Sequence, residues 1–175
     1  MTVTPAILLL ALVTILVEGE VPKVYLPKDP GYLPMSDLYA RGIARSGWDS
    51  FYKVNKQEWA ALISAAPVNP NSVTKVTIFL QKGYFMHLGC GPKLDTNMIE
   101  MGDPCWMPHV VSYWPGNGGK LKYKIRDNAC ESILYGSPGR EGDNITMIID
   151  MRPFQWSVSY AKNGIPMGIA FAGLN

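Results

Sequence analysis

The feature that most constrains the fold is an alternation of apolar and polar residues over 155–171. Within this range, Asn163-Gly164 separates two alternating runs. Asn-Gly tolerates positive φ at both central positions of a two-residue turn, and such turns join neighbouring antiparallel strands. The pattern therefore predicts a β-hairpin with half-buried strands. The residues expected on its inner face are Trp156, Val158, Tyr160, Ile165, Met167, Ile169 and Phe171.

The same kind of alternation predicts further strands along the chain, at 73–80, 84–90, 120–126 and 145–151. The 17 Gly and 14 Pro follow no fixed period, which is typical of many strands joined by turns. No segment shows a sustained helical period, and a chain of 175 residues suits one domain. We therefore predict an all-β fold, an antiparallel two-sheet β-sandwich.

The N-terminus is predicted to be an export signal. The uninterrupted apolar run at 6–17 is shorter than the roughly 20 residues that a membrane-spanning helix needs. Val17 and Gly19 suit positions −3 and −1, so cleavage is expected after Gly19, giving a secreted chain without a membrane anchor. The alternative is a buried strand or helix of the domain. The predicted order is a signal peptide, a Pro-rich segment and a sandwich domain, at 1–19, 20–54 and 55–175.

Export would place the three cysteines, Cys90, Cys105 and Cys130, in an oxidising compartment. Because three is an odd number, at most one internal disulfide forms. A Cys90–Cys105 pair closes the shorter loop and is the first alternative, and a Cys105–Cys130 pair is the second. The third alternative is three buried free thiols.

Residues 134–171 also resemble the SPRY domain family. A Gly-Asp pair opens a strand that ends in Asp, a second strand runs into Lys-Asn-Gly, and a closing strand is similar to the family's "LGVAF". The segment at 134–138 resembles the "SYG" segment that the family carries before its Gly-Asp, and 76–90 is a looser match. The matching stretches are LYGSP at 134–138, GDNITMIID at 142–150, WSVSY at 156–160, KNG at 162–164 and MGIAF at 167–171.

The resemblance implies a concanavalin-like sandwich that binds a protein or peptide, generally through loops at one end, without catalytic activity. The chain departs from the family in two places. Val76-Thr77-Ile78 stands where the family carries a characteristic Trp. The family also continues into a further strand after the segment at 167–171. We therefore expect a sandwich lacking its last strand, with that position empty or filled by the N-terminal segment.

Catalytic chemistry has little support in the residue inventory. His87 falls in a predicted strand and His109 lies near a loop, so a structural and a surface role are expected. The sequence has no nucleophile-elbow, zinc-protease or phosphate-loop motif. Asp143 and Asp150 are expected to bind turn backbone groups. We predict a chain that is not an enzyme and holds no cofactor or metal.

The candidate partner contacts are large apolar residues in Pro- and Gly-rich surroundings, because aromatic anchors dominate interface energetics. They are Trp106, Met107, Tyr113 and Trp114. The alternative is that these aromatic residues fill or cover the core. The expected partner is another protein or peptide, since a net charge of +2 gives no reason to expect nucleic acid. A lectin-like carbohydrate-binding sandwich is the alternative function.

Two further features concern the surface. Asn144 begins the one N-glycosylation sequon, Asn144-Ile145-Thr146, at a predicted strand start. Four basic residues share one face of a predicted strand, which indicates a solvated face or a contact for an acidic partner. They are Lys120, Lys122, Lys124 and Arg126.

Overall fold

The computed structural model describes residues 7–8, 23–25, 43–45, 50–53, 68, 70–80, 86–92, 105, 109–116, 118–123, 130–154 and 156–173. Within these ranges, no helix is long and apolar enough to cross a membrane. Nearly all of the described residues belong to strands and turns. In chain order the strands are β1 (Ile7–Leu8), β2 (Lys23–Tyr25), β3 (Ile43–Arg45), β4 (Ser50–Lys53), β5 (Val73–Leu80), β6 (Leu88–Pro92), β7 (Val111–Trp114), β8 (Lys120–Tyr123), β9 (Glu131–Leu134), β10 (Asn144–Asp150), β11 (Ser157–Lys162) and β12 (Ile165–Ala172).

The strands form two sheets in which every neighbouring pair is antiparallel. The smaller sheet has the order β1-β6-β7-β8-β9, and the larger has the order β12-β11-β10-β5-β2-β4-β3. The predicted all-β, antiparallel two-sheet sandwich is therefore confirmed. Strands β2, β3 and β4 come from the Pro-rich segment at 20–54 and extend the larger sheet beyond β5.

Strand β1 lies inside the range predicted as a signal peptide. Ile7 and Leu8 pair with Pro92 and Gly91 of β6, at one edge of the smaller sheet. This pairing corresponds to the alternative interpretation, in which the apolar run is a strand of the domain. The signal peptide and its cleavage stay predictions.

The core lies between the two sheets and follows the predicted alternation of β10 and β11. Inward side chains of both strands are at most 3% exposed, and each fully buried aliphatic side chain of this kind contributes roughly 1.5–3 kcal/mol to folding. The smaller sheet supplies side chains from β6, β7 and β8 that are at most 1% exposed. The residues concerned are Ile145, Met147, Ile149, Val158, Tyr160, Leu88, Tyr113 and Leu121.

The predicted hairpin is present as β11 and β12. Asn163 has φ of 51° and Gly164 has φ of 80°, so both turn residues adopt the left-handed conformation that the Asn-Gly pair tolerates. Lys162 pairs with Ile165 directly across the turn. The turn prediction is confirmed.

Strand β12 departs from the predicted alternation because it is longer than its partner. Six residues of β11 pair against eight of β12, and the register shifts twice. Gly168 has φ of 90°, a conformation that bulges commonly assign to glycine. The shifts leave Ile169 67% exposed and bring Ala170 against the core. Ile169 therefore does not face inward as the alternation predicts, and Ile165, which pairs with Lys162 beside the turn, is also 71% exposed.

Three tyrosines connect the sheets. Tyr113 of β7, Tyr160 of β11 and Tyr135, directly after β9, have ring centroids 5.0, 5.8 and 6.0 Å apart. The Tyr160 hydroxyl donates to the carbonyl of Leu88 in β6 at 2.9 Å. The Tyr135 hydroxyl donates to the carbonyl of Gly168 in β12 at 2.5 Å. Both bonds cross from one sheet to the other.

Burial keeps these hydroxyls protonated. It raises the pKa of Tyr113, Tyr135 and Tyr160 above the ordinary value of a phenol. The Tyr113 hydroxyl accordingly donates to the carbonyl of Ser137, in the connection after β9. The three side chains, called the tyrosine cluster below, can therefore act as donors throughout the physiological pH range.

Removing the Tyr160 hydroxyl tests how much this cluster stabilises the sandwich. Tyr160→Phe leaves the buried Leu88 carbonyl without its donor, so we expect the free energy of unfolding to fall by about 1–3 kcal/mol. Urea denaturation measures the change. Tyr135→Phe is the comparison: its bond to Gly168 is exposed, and the bond it accepts from the Tyr160 amide is long, at 3.3 Å, so the loss should be smaller. Equal losses would contradict the assignment.

Candidate binding surface

The structure separates the four predicted contact residues. Trp106 and Met107 lie outside the described residues. Tyr113 is 0% exposed inside the tyrosine cluster, so its prediction as a surface contact is wrong, because its ring fills the space between the sheets. Trp114 is half-buried at the end of β7, and its ring lies 4.9 Å from that of His87.

One buried pair has the residue types of a nucleophile and a base. His87 Nδ1 lies 3.2 Å from Ser112 Oγ, and the two residues are 1% and 0% exposed. A substrate has no route to atoms buried to this degree, and nucleophilic catalysis requires the reacting carbonyl to reach the hydroxyl. The contact agrees with the expected structural role of His87. His109, by contrast, is exposed in a turn with φ of 64°.

Asp143 fixes the corner where the β9–β10 connection meets the hairpin turn. Its carboxylate accepts from Asn163 Nδ2 and from the Arg140 amide, both at 2.7 Å, and lies 3.2 Å from Lys162 Nζ. Partial burial acts to raise the pKa of Asp143. The hydrogen bonds from Asn163, Arg140 and Lys162 outweigh burial and lower that pKa below its usual value. The expected turn role of Asp143 is confirmed.

Asp150 fixes the loop at the opposite end, between β10 and β11. Its carboxylate accepts from the Arg152 amide at 3.0 Å and from the Arg152 guanidinium at 2.6 Å. Hydrogen bonding by Arg152 lowers the pKa of Asp150. The loop then turns at Pro153 and Phe154.

Phe154 is unusual in both its exposure and its backbone conformation. Its side chain is fully exposed, and its φ is 66°, in the left-handed region that favours glycine. This conformation costs a non-glycine residue about 1–2 kcal/mol, and an exposed ring recovers none of it by packing. Sequence analysis missed this residue. The available signal was a bulky residue after Pro153, in a loop position where a type II turn takes Gly or Asn.

Strand β9 is the last strand of the smaller sheet, and β12 is an edge strand of the larger sheet. The two lie on the same side of the sandwich, as the hydrogen bond from Tyr135, directly after β9, to Gly168 of β12 shows. Along the described chain no strand pairs with the outer edge of β12, since the N-terminal β2, β3 and β4 join beyond β5. This edge is nevertheless irregular. Pro166 has no amide hydrogen, and the register of β12 with β11 shifts twice.

Among the described strands, β9 is a regular edge with a partner on one side only. Its four residues pair one-to-one with β8, without a bulge, and all four are exposed. Ile133 and Leu134 are 47% and 77% exposed. The strand contains none of the Pro or Lys residues that commonly discourage further pairing at an edge.

The disulfide lies at the start of β9. Cys105 is bonded to Cys130, with Cα atoms 5.0 Å apart, whereas Cys90 is a buried free thiol. The structure thus corresponds to the second pairing considered. The first alternative, Cys90–Cys105, is wrong because Cys90 faces the core from β6. Burial raises the pKa of the Cys90 thiol to about 12.

The remaining surface candidates are only partly described. Asn144 is exposed at the first residue of β10, and its glycosylation stays a prediction. Of the basic stripe, Lys120 and Lys122 belong to β8, and Lys124 and Arg126 lie outside the described residues.

No family model, curated protein or solved structure matches this chain. The SPRY resemblance therefore depends on the sequence motifs. Within the part that the structure describes, no group of three or more His, Cys, Asp or Glu residues could hold a metal ion.

The thiol assignment predicts a specific pattern of reactivity. Under non-reducing conditions we expect an aromatic disulfide reagent to titrate one thiol, and only after unfolding, because Cys90 is buried. Cys105→Ser with Cys130→Ser should lower the free energy of unfolding by about 3 kcal/mol, since the bond closes a separation of 25 residues. Cys90→Ala is the control that keeps the disulfide. Three reactive thiols would contradict the pairing.

The corner at Asp143 predicts a dependence of stability on pH. The folded pKa is lowered, so the stabilisation is complete above the unfolded value of about 4 and is lost as pH falls through the folded pKa. Thermal unfolding of Asp143→Asn should accordingly show a smaller loss of stability between neutral and acidic pH than the wild type. Asp150→Asn, at the opposite end, serves as comparison. An unchanged pH profile in Asp143→Asn would contradict the assignment.

Proposed function

We propose that this chain is a secreted, non-catalytic module that binds another protein or peptide, in the manner that its SPRY-like motifs imply. The observation that carries this proposal is Phe154, a fully exposed aromatic side chain in a left-handed conformation. Exposed aromatic residues are the anchors that most often dominate protein interfaces. A residue that costs stability without packing is better explained by a contact with a partner than by folding.

The loop presents this ring in a fixed way. The hydrogen bonds between Asp150 and Arg152 hold the start of the loop. Pro153, directly before Phe154, has its own φ fixed at about −65° by its ring. A preorganised anchor loses less conformational entropy on binding than a mobile one. The end of a sandwich is also where the resemblance places binding loops.

The chemistry of the described residues is consistent with binding rather than catalysis. The imidazole and hydroxyl of His87 and Ser112 are buried, and the carboxylates Asp143 and Asp150 hold turns. Secretion has separate support, since a disulfide such as Cys105–Cys130 persists in oxidising compartments. The apolar run at 6–17 gives the same indication.

Affinity capture from extracellular fluid, with quantitative mass spectrometry, tests the proposed site. We expect a saturable protein partner that is retained by the wild type and lost with Phe154→Ala, because the anchor is removed. Ile165→Ala, which removes a comparably exposed apolar side chain from β12, is the matched control. If every captured protein remains bound to Phe154→Ala, the loop is not the site. Glycan-array binding without a protein partner would support the lectin-like alternative instead.

Stability provides an independent test of Phe154. Because glycine adopts positive φ without steric cost, Phe154→Gly should keep or raise the free energy of unfolding, by up to about 1 kcal/mol, while partner binding is lost. Urea denaturation measures the first effect and the capture assay the second. A loss of more than about 1 kcal/mol would show that the ring stabilises the fold, which would remove the main support for the site.

A further inference from the structure

We propose that β9 binds an extended segment of a partner protein as an additional strand of the smaller sheet, and that this segment carries apolar and acidic side chains. The inference rests on the proposed function only in requiring a protein partner. It concerns the side of the sandwich, whereas Phe154 lies on an end loop. The two sites can therefore succeed or fail separately.

The contrast between the two edges favours β9. An edge strand offers main-chain donors and acceptors to any strand that can lie beside it. On β12, Pro166 lacks a donor, and the register shifts twice, with Tyr135 bridging the strand to β11 at one shift. On β9 the register with β8 is continuous over all four residues. A regular strand of this kind can form continuous main-chain hydrogen bonds with an incoming segment, whereas the irregular β12 cannot.

The exposed apolar side chains of β9 can contact side chains of the added strand. Ile133 pairs with Leu121, which is 1% exposed, so Ile133 belongs to the face directed at the core. Leu134 is the next residue and belongs to the outer face, where it is 77% exposed. An apolar residue of the incoming strand can cover part of Leu134, because opposite side chains on neighbouring strands contact each other. Burying this leucine would contribute to affinity.

Charge favours an acidic segment on the outer face. Lys120 pairs with Leu134, so a basic residue occupies an outer-face position of β8. The one acidic residue of β9, Glu131, belongs to the other face. Side chains of an added strand that point outward would lie two strands away, about 10 Å, from the backbone of Lys120. A carboxylate there would be attracted by its ammonium group.

The same charges disfavour a second copy of this chain as the occupant. Two copies joined antiparallel through β9 would form one continuous sheet with the outer faces on the same side. A second copy brings no carboxylate to the outer face beside Lys120, because its Glu131 belongs to the other face. A foreign segment can place an acidic residue there.

Peptide display on the full chain tests the inference. Random peptides are selected on the wild type, and the enriched sequences are synthesised and titrated by fluorescence anisotropy. We expect an apolar and an acidic residue two positions apart, so that both point outward, and Leu134→Lys should weaken binding by about tenfold or more because it removes the apolar contact. Ile165→Lys on β12 is the matched control, since Ile165 is similarly exposed at 71%. Lys120→Glu should also weaken binding.

Hydrogen exchange with and without the selected peptide locates the added strand. Added protection at 132–134 would support the inference, together with the loss caused by Leu134→Lys. Protection on β12, equal losses in Leu134→Lys and Ile165→Lys, or failure to enrich any peptide would overturn it. A dimer that Leu134→Lys dissociates would identify a second copy as the occupant and would likewise overturn it. Binding that responds only to Phe154→Ala would overturn this inference and leave the proposed function intact.

Discussion

The tyrosine cluster is the interaction on which the rest of the sandwich depends. Tyr160 reaches from the larger sheet to the Leu88 carbonyl, and Tyr135 reaches from the smaller sheet to the Gly168 carbonyl. Both of these rings add buried apolar area, and both of these hydroxyls donate to a carbonyl on the opposite sheet. Apolar packing alone would let the sheets slide, because it has no preferred direction. The directional bonds fix the relative position of the sheets.

The position of the cluster also explains why β12 is the less regular of the two edges. The Tyr135 hydroxyl accepts from the Tyr160 amide at 3.3 Å and donates to the Gly168 carbonyl, so it bridges β11 and β12 where their register shifts. Gly136 then lies against Met167, where a side chain would not fit. Strand β9, which Tyr135 directly follows, pairs with β8 without a shift.

Local patterns predicted the best-defined parts of the fold and failed where the outcome depended on pairing. The alternation of Ile145, Met147 and Ile149 was sufficient for β10, and Asn163-Gly164 was sufficient for the turn, because both depend on a few adjacent residues. The outward position of Ile169 could not be predicted in this way. It results from extra residues in β12 relative to β11, which only the register shows. The disulfide was likewise ambiguous, since loop length favours Cys90–Cys105 while burial of Cys90 excludes it.

The candidate binding residues illustrate the same limit. An aromatic residue near Gly and Pro is equally compatible with an interface and with a core, and Tyr113 proved to be core because its strand faces the other sheet. Phe154 differs from Tyr113, since its exposure and its backbone conformation both lower the stability of the fold. In a chain whose other described residues at positive φ are Gly, Asn and one histidine, His109, a phenylalanine in that conformation is a local conflict. Such conflicts concentrate at functional sites, because selection retains them only where they serve another purpose. The conflict at Phe154 therefore indicates function more strongly than the aromatic composition of any loop.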